Sequence, residues 1–352
     1  MPDDRAAVRQ AQVLVDDLFD RKPGLYWLDF TISTSLAWAL AAVYFIDPAG
    51  PLVQWGAMLL AAIAFFRTGT FIHEIVHFRS GEMQGFKWAW NLLVGYPLLM
   101  PWVLYRNHVE HHSHLHFGTP DDGEYLPLAA MPPSETVKYL VQVPLLPLLA
   151  VLRFGVLGPL SHVSPKLREW LLVRASAAIT NPYYRKRFPG HHERELVRSE
   201  WFCFAWLVGL ALLTAFGPMT GIHWLMAWAL LATAIGLNWL RTLAAHGYGH
   251  VGDPRSHLAQ LDDSINLTGQ TWLTAWFFPV GLRYHALHHL LPGLPYHRLG
   301  VAHRRLLADL PADHPYRRSN HDNYFTVVGR LLRGSWSSRG DATVLRRWQT
   351  GG

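Results

Sequence analysis

The 352 residues are half apolar and only 16% charged, and they include 16 tryptophans, a balance unlike that of a soluble domain and suited to a chain embedded in a bilayer. The formal charge of +6 sits mainly in loops between apolar stretches, where an anionic membrane surface is the simpler partner, so nucleic acid is set aside. A single cysteine, Cys203, excludes an intrachain disulfide, an iron–sulfur cluster and a Cys-rich zinc site, so any metal must rest on His, Asp, Glu or Asn.

Residues 1–25 are charged and helix-compatible, lack the short apolar core of a cleaved export signal, and read as an N-terminal cytosolic segment. Four stretches, Tyr26 to Ile46, Pro51 to Ile72, Trp201 to Gly217 and His223 to Ala245, are long and apolar enough to cross a hydrocarbon layer of roughly 30 Å as helices. They pair as two hairpins around the connectors Asp47 to Gly50 and Gly217 to Gly221, neither of which holds Lys or Arg. The stretch 161–200 instead carries Lys166, Arg168, Arg174, Arg185, Lys186, Arg187, Arg194 and Arg198, so the positive-inside rule makes it cytoplasmic, and both termini with it. Prolines interrupt Trp88 to Leu104 and Tyr139 to Leu160, which read as interfacial or re-entrant helices. If each crossed, the polar segment between them would be stranded with its histidines on the opposite side. Trp272 to Leu282 is too short to span. The expectation is an all-α integral membrane domain over 26–310, with four transmembrane helices, interfacial helices and a cytosolic cap, followed by a polar tail, 311–352, that is poorly ordered.

Ten of the 21 histidines fall in four clusters: H-E-I-V-H (His73, His77), H-V-E-H-H (His108, His111, His112), H-G-Y-G-H (His246, His250) and H-A-L-H-H (His285, His288, His289). On a helix, positions i and i+3 or i+4 share a face, so each cluster can aim two imidazoles at one point. His73 follows directly on the second span and His246 on the fourth, and both H-x-x-H-H groups lie in cytoplasmic polar stretches, so the clusters converge on one membrane face. Imidazole suits Fe, Zn, Cu or Ni, while the absence of thiolates disfavours structural zinc. Eight or nine imidazoles are too many for one ion and suit two. His250 is separated from His246 by Gly247 and Gly249, which weaken a helix, and its part is open; His114 and His116 are close enough to the second cluster for an indirect role. His162, His191, His192, His223, His257, His303, His314 and His321 read as solvated or packed. Alone, H-E-I-V-H also matches a zinc protease with Glu74 as general base, a reading that leaves the other clusters without purpose. A metal transporter would carry histidines within spans or disordered loops rather than in fixed triplets at helix ends.

With HEIVH, HVEHH and its trailing HSHLHFGTPDDGEY, and HALHHLLPGLPYH, the chain resembles the membrane fatty acid desaturase family, bacterial type, which includes acyl hydroxylases. The resemblance runs from about Tyr26 to Arg304; RTLAAHGY resembles the family's extra histidine element, and QLDDSINL the stretch that follows it. It implies a di-iron site held by His73, His77, His108, His111, His112, His246, His285, His288 and His289, consuming O2 and two external electrons. It also implies a lipid acyl substrate, with desaturation favoured and acyl-chain or alkane hydroxylation or ketolation as the alternative. Two departures stand out: Glu74 replaces the usual Asp, and Thr242 stands where animal acyl-CoA enzymes place a water-holding Asn, leaving Asn238 and Asn266 as candidates for that role.

An unactivated methylene cannot be deprotonated by a side chain, so the oxidant must be made from dioxygen at a metal. Carboxylates that accept the far N–H of a ligating imidazole fix its tautomer, and Glu74, Glu110, Asp121, Asp122, Asp262 and Asp263 lie near the clusters in sequence. Arg185, Lys186 and Arg187 suit anchoring of the cap to anionic lipid. Electrons are expected from a separate ferredoxin, cytochrome or reductase, and the composition suits a bacterial inner membrane with the site facing the cytoplasm.

Overall fold

A computed structural model describes residues 2–46, 50–337 and 342–351 of the chain. Helix α1 (Pro2–Leu14) precedes the first apolar pair, α2 (Pro23–Ile46) and α3 (Pro51–Ile75). Of the expected connector between them, residues 47–49 lie outside the described residues. Gly50, with φ 89°, turns the chain into α3, and Pro51 sits in the first turn, where its missing N–H costs nothing. Ala37 and Ala41 of α2 meet Ala57, Ala61, Ala62 and Ala64 of α3, small residues that let two apolar helices approach closely.

The proline-rich stretch after α3 does not form a long helix. It folds as α4 (Gln84–Trp90), a π turn (Asn91–Gly95) and a 3-10 turn (Trp102–Tyr105). Asn91 Oδ1 accepts the Trp102 N–H at 3.0 Å, and a Cβ on Gly95 would meet that same oxygen at 2.7 Å, so only glycine fits the bend. The bend returns the chain to the end of α3, where α5 (His108–His111) begins.

The second proline-interrupted stretch is less broken than its prolines suggest. Helices α6 (Pro133–Val141), α7 (Leu146–Leu152) and α8 (Gly158–Ser161), joined by single 3-10 and π turns, form one apolar run from Pro133 to Ser161 that is long enough to cross a membrane. Pro144, Pro147 and Pro159 each fall in the first turn of a successive piece, where proline is tolerated. Five helical segments rather than four therefore meet the length and hydropathy of a span, the others being Pro23–Ile46, Pro51–Ile75, Gly190–Phe216 and Gly221–Thr242. The protein is a membrane protein.

After α9 (Pro165–Arg174), the strap 175–189 lies along the α5 region: Ala178 N–H donates to Leu104 O (2.7 Å) and Asn181 Nδ2 to Asp122 O (2.9 Å). Helices α10 (Glu193–Phe216) and α11 (Gly221–Thr242) follow; α10 packs on α8 and the adjoining π turn, α11 on α3, α6 and α7. Trp224 Nε1 donates to Thr214 Oγ1 (2.9 Å) across the α10–α11 turn. His223 closes the N-terminus of α11 in a capping box with Thr220, a packed role as expected.

The cap comprises α12 (His257–Gln260), α13 (Thr271–Phe277), α14 (His285–Leu290) and α15 (Tyr296–Asp309). Ala11, Val15 and Leu18 press on Leu287, Leu290 and Leu306, so the N-terminal segment braces the back of α14. The described residues of the tail form regular, packed elements, where the sequence reading expected poor order. Asn320 and His321 (β2) pair in parallel with Asn266 and Leu267 (β1), and α16 (Tyr324–Ser337) and α17 (Ala342–Thr350) follow. Val327, Leu331 and Ser335 form the buried stripe of α16, and Trp348 is fully buried among residues that include Phe117, Tyr125 and Tyr248. Arginines on the outward faces hide this helical period from a reading of composition.

Candidate metal centre

Four pieces of chain deliver imidazoles to one point beside the ends of α3 and α11. The last turn of α3 and the residue after next supply His73 and His77, the single turn of α5 and its C-cap supply His108, His111 and His112, and α14 supplies His285, His288 and His289. His246 follows α11 in a bridge to Ser264. Ring nitrogens of His73, His77, His108 and His288 lie within 4.8 Å of one another, as do those of His111, His246, His285 and His289. His112 joins the first group, its Nε2 standing 3.0 Å from both His108 Nε2 and His288 Nε2. Each H-x-x-H-H helix therefore serves both groups. From α5 the i and i+4 residues go to the first and the i+3 residue to the second; from α14 the assignment is reversed. The groups adjoin, with the His112 and His289 ring centroids 4.3 Å apart.

The outer nitrogens fix the tautomers. His108 Nδ1 bonds Glu124 at 2.9 Å, His111 Nδ1 bonds Asp122 at 2.8 Å, and His289 Nδ1 meets Gln260 Oε1 at 3.2 Å. A carboxylate only accepts, so the His108 and His111 Nδ1 atoms carry the proton and their Nε2 lone pairs face inward. There, Nε2 of His246 lies 3.2 Å from that of His111 and 2.9 Å from that of His285, and His289 Nε2 lies 3.2 Å from His285 Nε2. Protons are a poor way to reconcile these lone pairs. Burial pushes His108, His112, His246, His285, His288 and His289 well below the usual histidine range, and burial together with the Arg21 charge takes His77 down to about 3. His111 is the exception: burial acts to lower it, but the Asp122 charge and hydrogen bond prevail and raise it. Further nitrogens, His73 Nδ1 and Nε2, His77 Nε2, His112 Nδ1 and His285 Nδ1, are buried without a hydrogen-bond partner. Converging imidazole nitrogens, most of them held unprotonated by burial and several without a partner, fit a metal cation, and each of the two groups could hold one.

A family model described as "Fatty acid desaturase" matches residues 49–320. The chain is also 37% identical over 337 residues, 94% of each sequence, to a protein of Caulobacter vibrioides named "Ceramide hydroxylase". The chain belongs to the fatty acid desaturase family. It is accordingly an oxygen-dependent oxidoreductase, and the resemblance read from its histidine motifs is correct.

The carboxylates that serve this desaturase-family site are only partly those the sequence pointed to. Asp122 is among them, but Glu124, held in place by the Tyr105 hydroxyl at 2.8 Å, was not anticipated, nor was Gln260. Both stand near motif residues that were noted, Glu124 inside the quoted DDGEY, and only the fold turns them toward imidazoles. Asp263 comes no nearer to His246 Nδ1 than 3.6 Å. Glu110 pairs with Lys186 (2.7 Å), Asp262 pairs with Arg318 (3.1 Å), and Asp121 is exposed. Glu74 contacts no site histidine: its carboxylate accepts from the Tyr26 hydroxyl and, at 3.2 Å, from the Tyr296 N–H, tying α2 and α3 to the start of α15. A carboxylate so engaged is no general base, which removes the basis for a zinc protease.

Other candidates fall outside the site. His250 Nε2 bonds Asp253 O at 2.5 Å and joins neither group. His114 faces His257, and His116 Nε2 lies 3.4 Å from Lys186 Nζ. Asn238 accepts from Arg241 (2.6 Å), while Asn266 accepts the Leu287 N–H (3.1 Å) and donates to Asn320 (3.0 Å), so neither touches a site histidine. Asn266 instead steadies the first turns of α14. Of the basic trio, Lys186 and Arg187 are paired with Glu110 and Glu169.

Proposed function

We propose that this protein hydroxylates a hydrocarbon chain of a ceramide-type lipid at a centre of two irons. His73, His77, His108, His112 and His288 hold one iron, and His111, His246, His285 and His289 the other. The observation that carries the two-ion reading is the division of nine imidazoles, eight of them buried and His77 partly so, into two adjoining groups of converging ring nitrogens. Hydroxylation is preferred to the desaturation favoured from sequence because the relative matched over 94% of both chains is named a hydroxylase and its name specifies ceramide. Desaturation is the second reading, since the two reactions share reagents. Hydroxylation converts R–H, O2, two electrons and two protons into R–OH and water; desaturation of a CH2–CH2 unit with the same inputs gives CH=CH and two waters. When bound, the irons supply the activation of dioxygen that an unactivated C–H bond requires. The chain's own part is to orient imidazoles through Glu124, Asp122 and Gln260 and to keep bulk water from a buried site. A separate ferredoxin, cytochrome or reductase provides the electrons.

For topology we adopt four crossings, with the Pro133–Ser161 run dipping into the bilayer and returning. Near its start Tyr139 packs on Trp239, in the last turns of α11, and just past its end His162 stacks on Trp201, early in α10. A fifth crossing would also put His246 on the opposite side from His73, whereas their groups adjoin. The basic stretch 161–200 supports a cytoplasmic site and cytoplasmic termini in a bacterial inner membrane, and residues 26–310 remain the unit we assign to the oxygenase. Cysteine-accessibility labelling that found positions 108 and 288 on different sides would refute this arrangement. The reaction is tested by lipid mass spectrometry of cells with and without the gene. A ceramide species gaining one oxygen atom, labelled from isotopic dioxygen, is expected; loss of two hydrogens instead would favour desaturation, and no change in any lipid would contradict both.

A further inference from the structure

Helix α16 lies past residues 49–320, which carry the family likeness, and it presents three faces rather than two. Its buried stripe, Val327, Leu331 and Ser335, packs inward, and the Ser335 hydroxyl donates to Met131 O at 2.9 Å. Phe325, Leu332 and Trp336, at i, i+7 and i+11, fall within about 40° of one another on a helix of 3.6 residues per turn. All three are exposed, Trp336 by 72% and Phe325 by 61%. Arg330 and Arg333 lie farther round, on the third face, and neither joins an ion pair among the described residues. A helix at a plain boundary between protein and water needs one apolar stripe and one polar face. A second apolar face, rimmed by arginines, marks a surface that meets something other than water.

The depth of the stripe says what that is. Tyr324, the first residue of α16, donates its hydroxyl to Leu240 O at 2.8 Å, in the last turn of the α11 span, and Leu240 itself is exposed on that span. Tyr324 also packs on Phe277 of α13, with ring centroids 5.5 Å apart, and Phe277 packs on Phe66 of the α3 span. The start of α16 therefore stands where two spans leave the bilayer, on the side of the histidines. Gln270, at the N-cap of α13, accepts the Tyr324 N–H at 2.8 Å, so the two helices begin side by side, and α13 exposes Trp272 and Trp276 one turn apart. Tryptophan settles at the level of lipid head groups, and arginine beside it reaches their phosphates. An apolar stripe that adjoins a lipid-facing residue of α11 and carries these flanks suits lipid better than a protein partner.

We propose that α16 and α13 form an in-plane anchor that lies in the head-group layer of the leaflet nearest the histidines, apolar stripe toward the hydrocarbon, and seats the cap on the bilayer. The anchor is joined to the metal centre through the segment it covers. Gly334 lets α16 approach so closely that a Cβ there would stand 3.0 Å from Ala129 O, and the Ala129 N–H donates to Tyr248 O at 3.0 Å, two residues after His246. The assignment does not depend on which lipid is oxidised.

The test uses the wild-type chain in vesicles of phosphatidylcholine and phosphatidylglycerol that carry a photoactivatable diazirine, either close to the glycerol or at the end of the acyl chain. Adducts are mapped by mass spectrometry. Leu240 and Leu60, exposed at the end of one span and in the middle of another, are the shallow and deep references. Phe325, Leu332, Trp336 and Trp272 should take the shallow probe to within about threefold of Leu240, and the deep probe at least about tenfold less than Leu60. Thr326, on the polar face, should take either probe at least about tenfold less than Trp336. Adducts on Leu240 and Leu60 with none on α16 or α13 would overturn the proposal. Deep labelling of the stripe equal to that of Leu60 would overturn it in favour of insertion into the hydrocarbon. Labelling that appears only when each lipid nanodisc holds a single chain would assign the stripe to a second copy instead.

Discussion

The two histidine groups draw on the same helices yet are supported differently. The first, with five imidazoles, takes His73 and His77 from the end of a membrane helix, and only His108 among its members is oriented by a carboxylate. The second, with four, takes His111 from α5, His246 from the loop after α11 and His285 and His289 from α14; His111 is oriented by Asp122 and His289 by Gln260. A long apolar helix supplies rigidity to one group, and a polar second layer supplies it to the other. The first group should therefore tolerate the loss of one imidazole better than the second, and the second should depend more on its outer partners.

The largest effect is expected from His285→Ala, which leaves three imidazoles in the second group. It should cut bound iron from two per chain to about one and abolish lipid oxidation. His112→Ala leaves four in the first group and should keep both irons with partial activity. Metal analysis of the two variants side by side checks the asymmetry, and full activity in His285→Ala would break it.

Next come the outer carboxylates. Asp122 is fully enclosed and also accepts the backbone N–H groups of Gly118 (3.0 Å) and Glu124 (2.9 Å), whereas the Glu124 side chain keeps 14% exposure. Asp122→Asn should lower iron affinity or activity by about 10- to 100-fold, and Glu124→Gln by less. Equal losses would mean that the two groups are braced alike. The smallest effect belongs to Glu74→Gln, because an amide oxygen can still accept from Tyr26 and Tyr296 and no imidazole depends on it. Activity should stay within about tenfold of wild type with metal retained. A collapse of turnover in metal-loaded Glu74→Gln would restore the general-base role.

Much of this was legible in the sequence, because the spacing of the imidazoles is local. Positions i, i+3 and i+4 share a helical face, so His108, His111 and His112, or His285, His288 and His289, announce themselves. How each triplet divides between the two histidine groups was not legible, since it depends on how α5 and α14 face one another. Glu124 and Gln260 were missed for the same reason: each reaches its histidine through a turn of the chain rather than a helical period. Glu74 misled in the opposite sense, as its position beside His73 suggested a partner for an imidazole while its side chain points to Tyr26 and Tyr296. The prolines of the Pro133–Ser161 run were read as breaks because the sequence does not reveal that they fall in first turns. The tail was read as loose because Trp348 is far in sequence from the other members of the buried cluster it joins, such as Phe117 and Tyr125.

The most direct test of the account is the metal content of the intact wild-type protein, purified from cells supplied with iron and reconstituted with ferrous iron. Two irons per chain are expected, one for each histidine group. Saturation at a single metal, or one zinc and no iron after reconstitution, would contradict the two-ion centre on which the proposed chemistry rests.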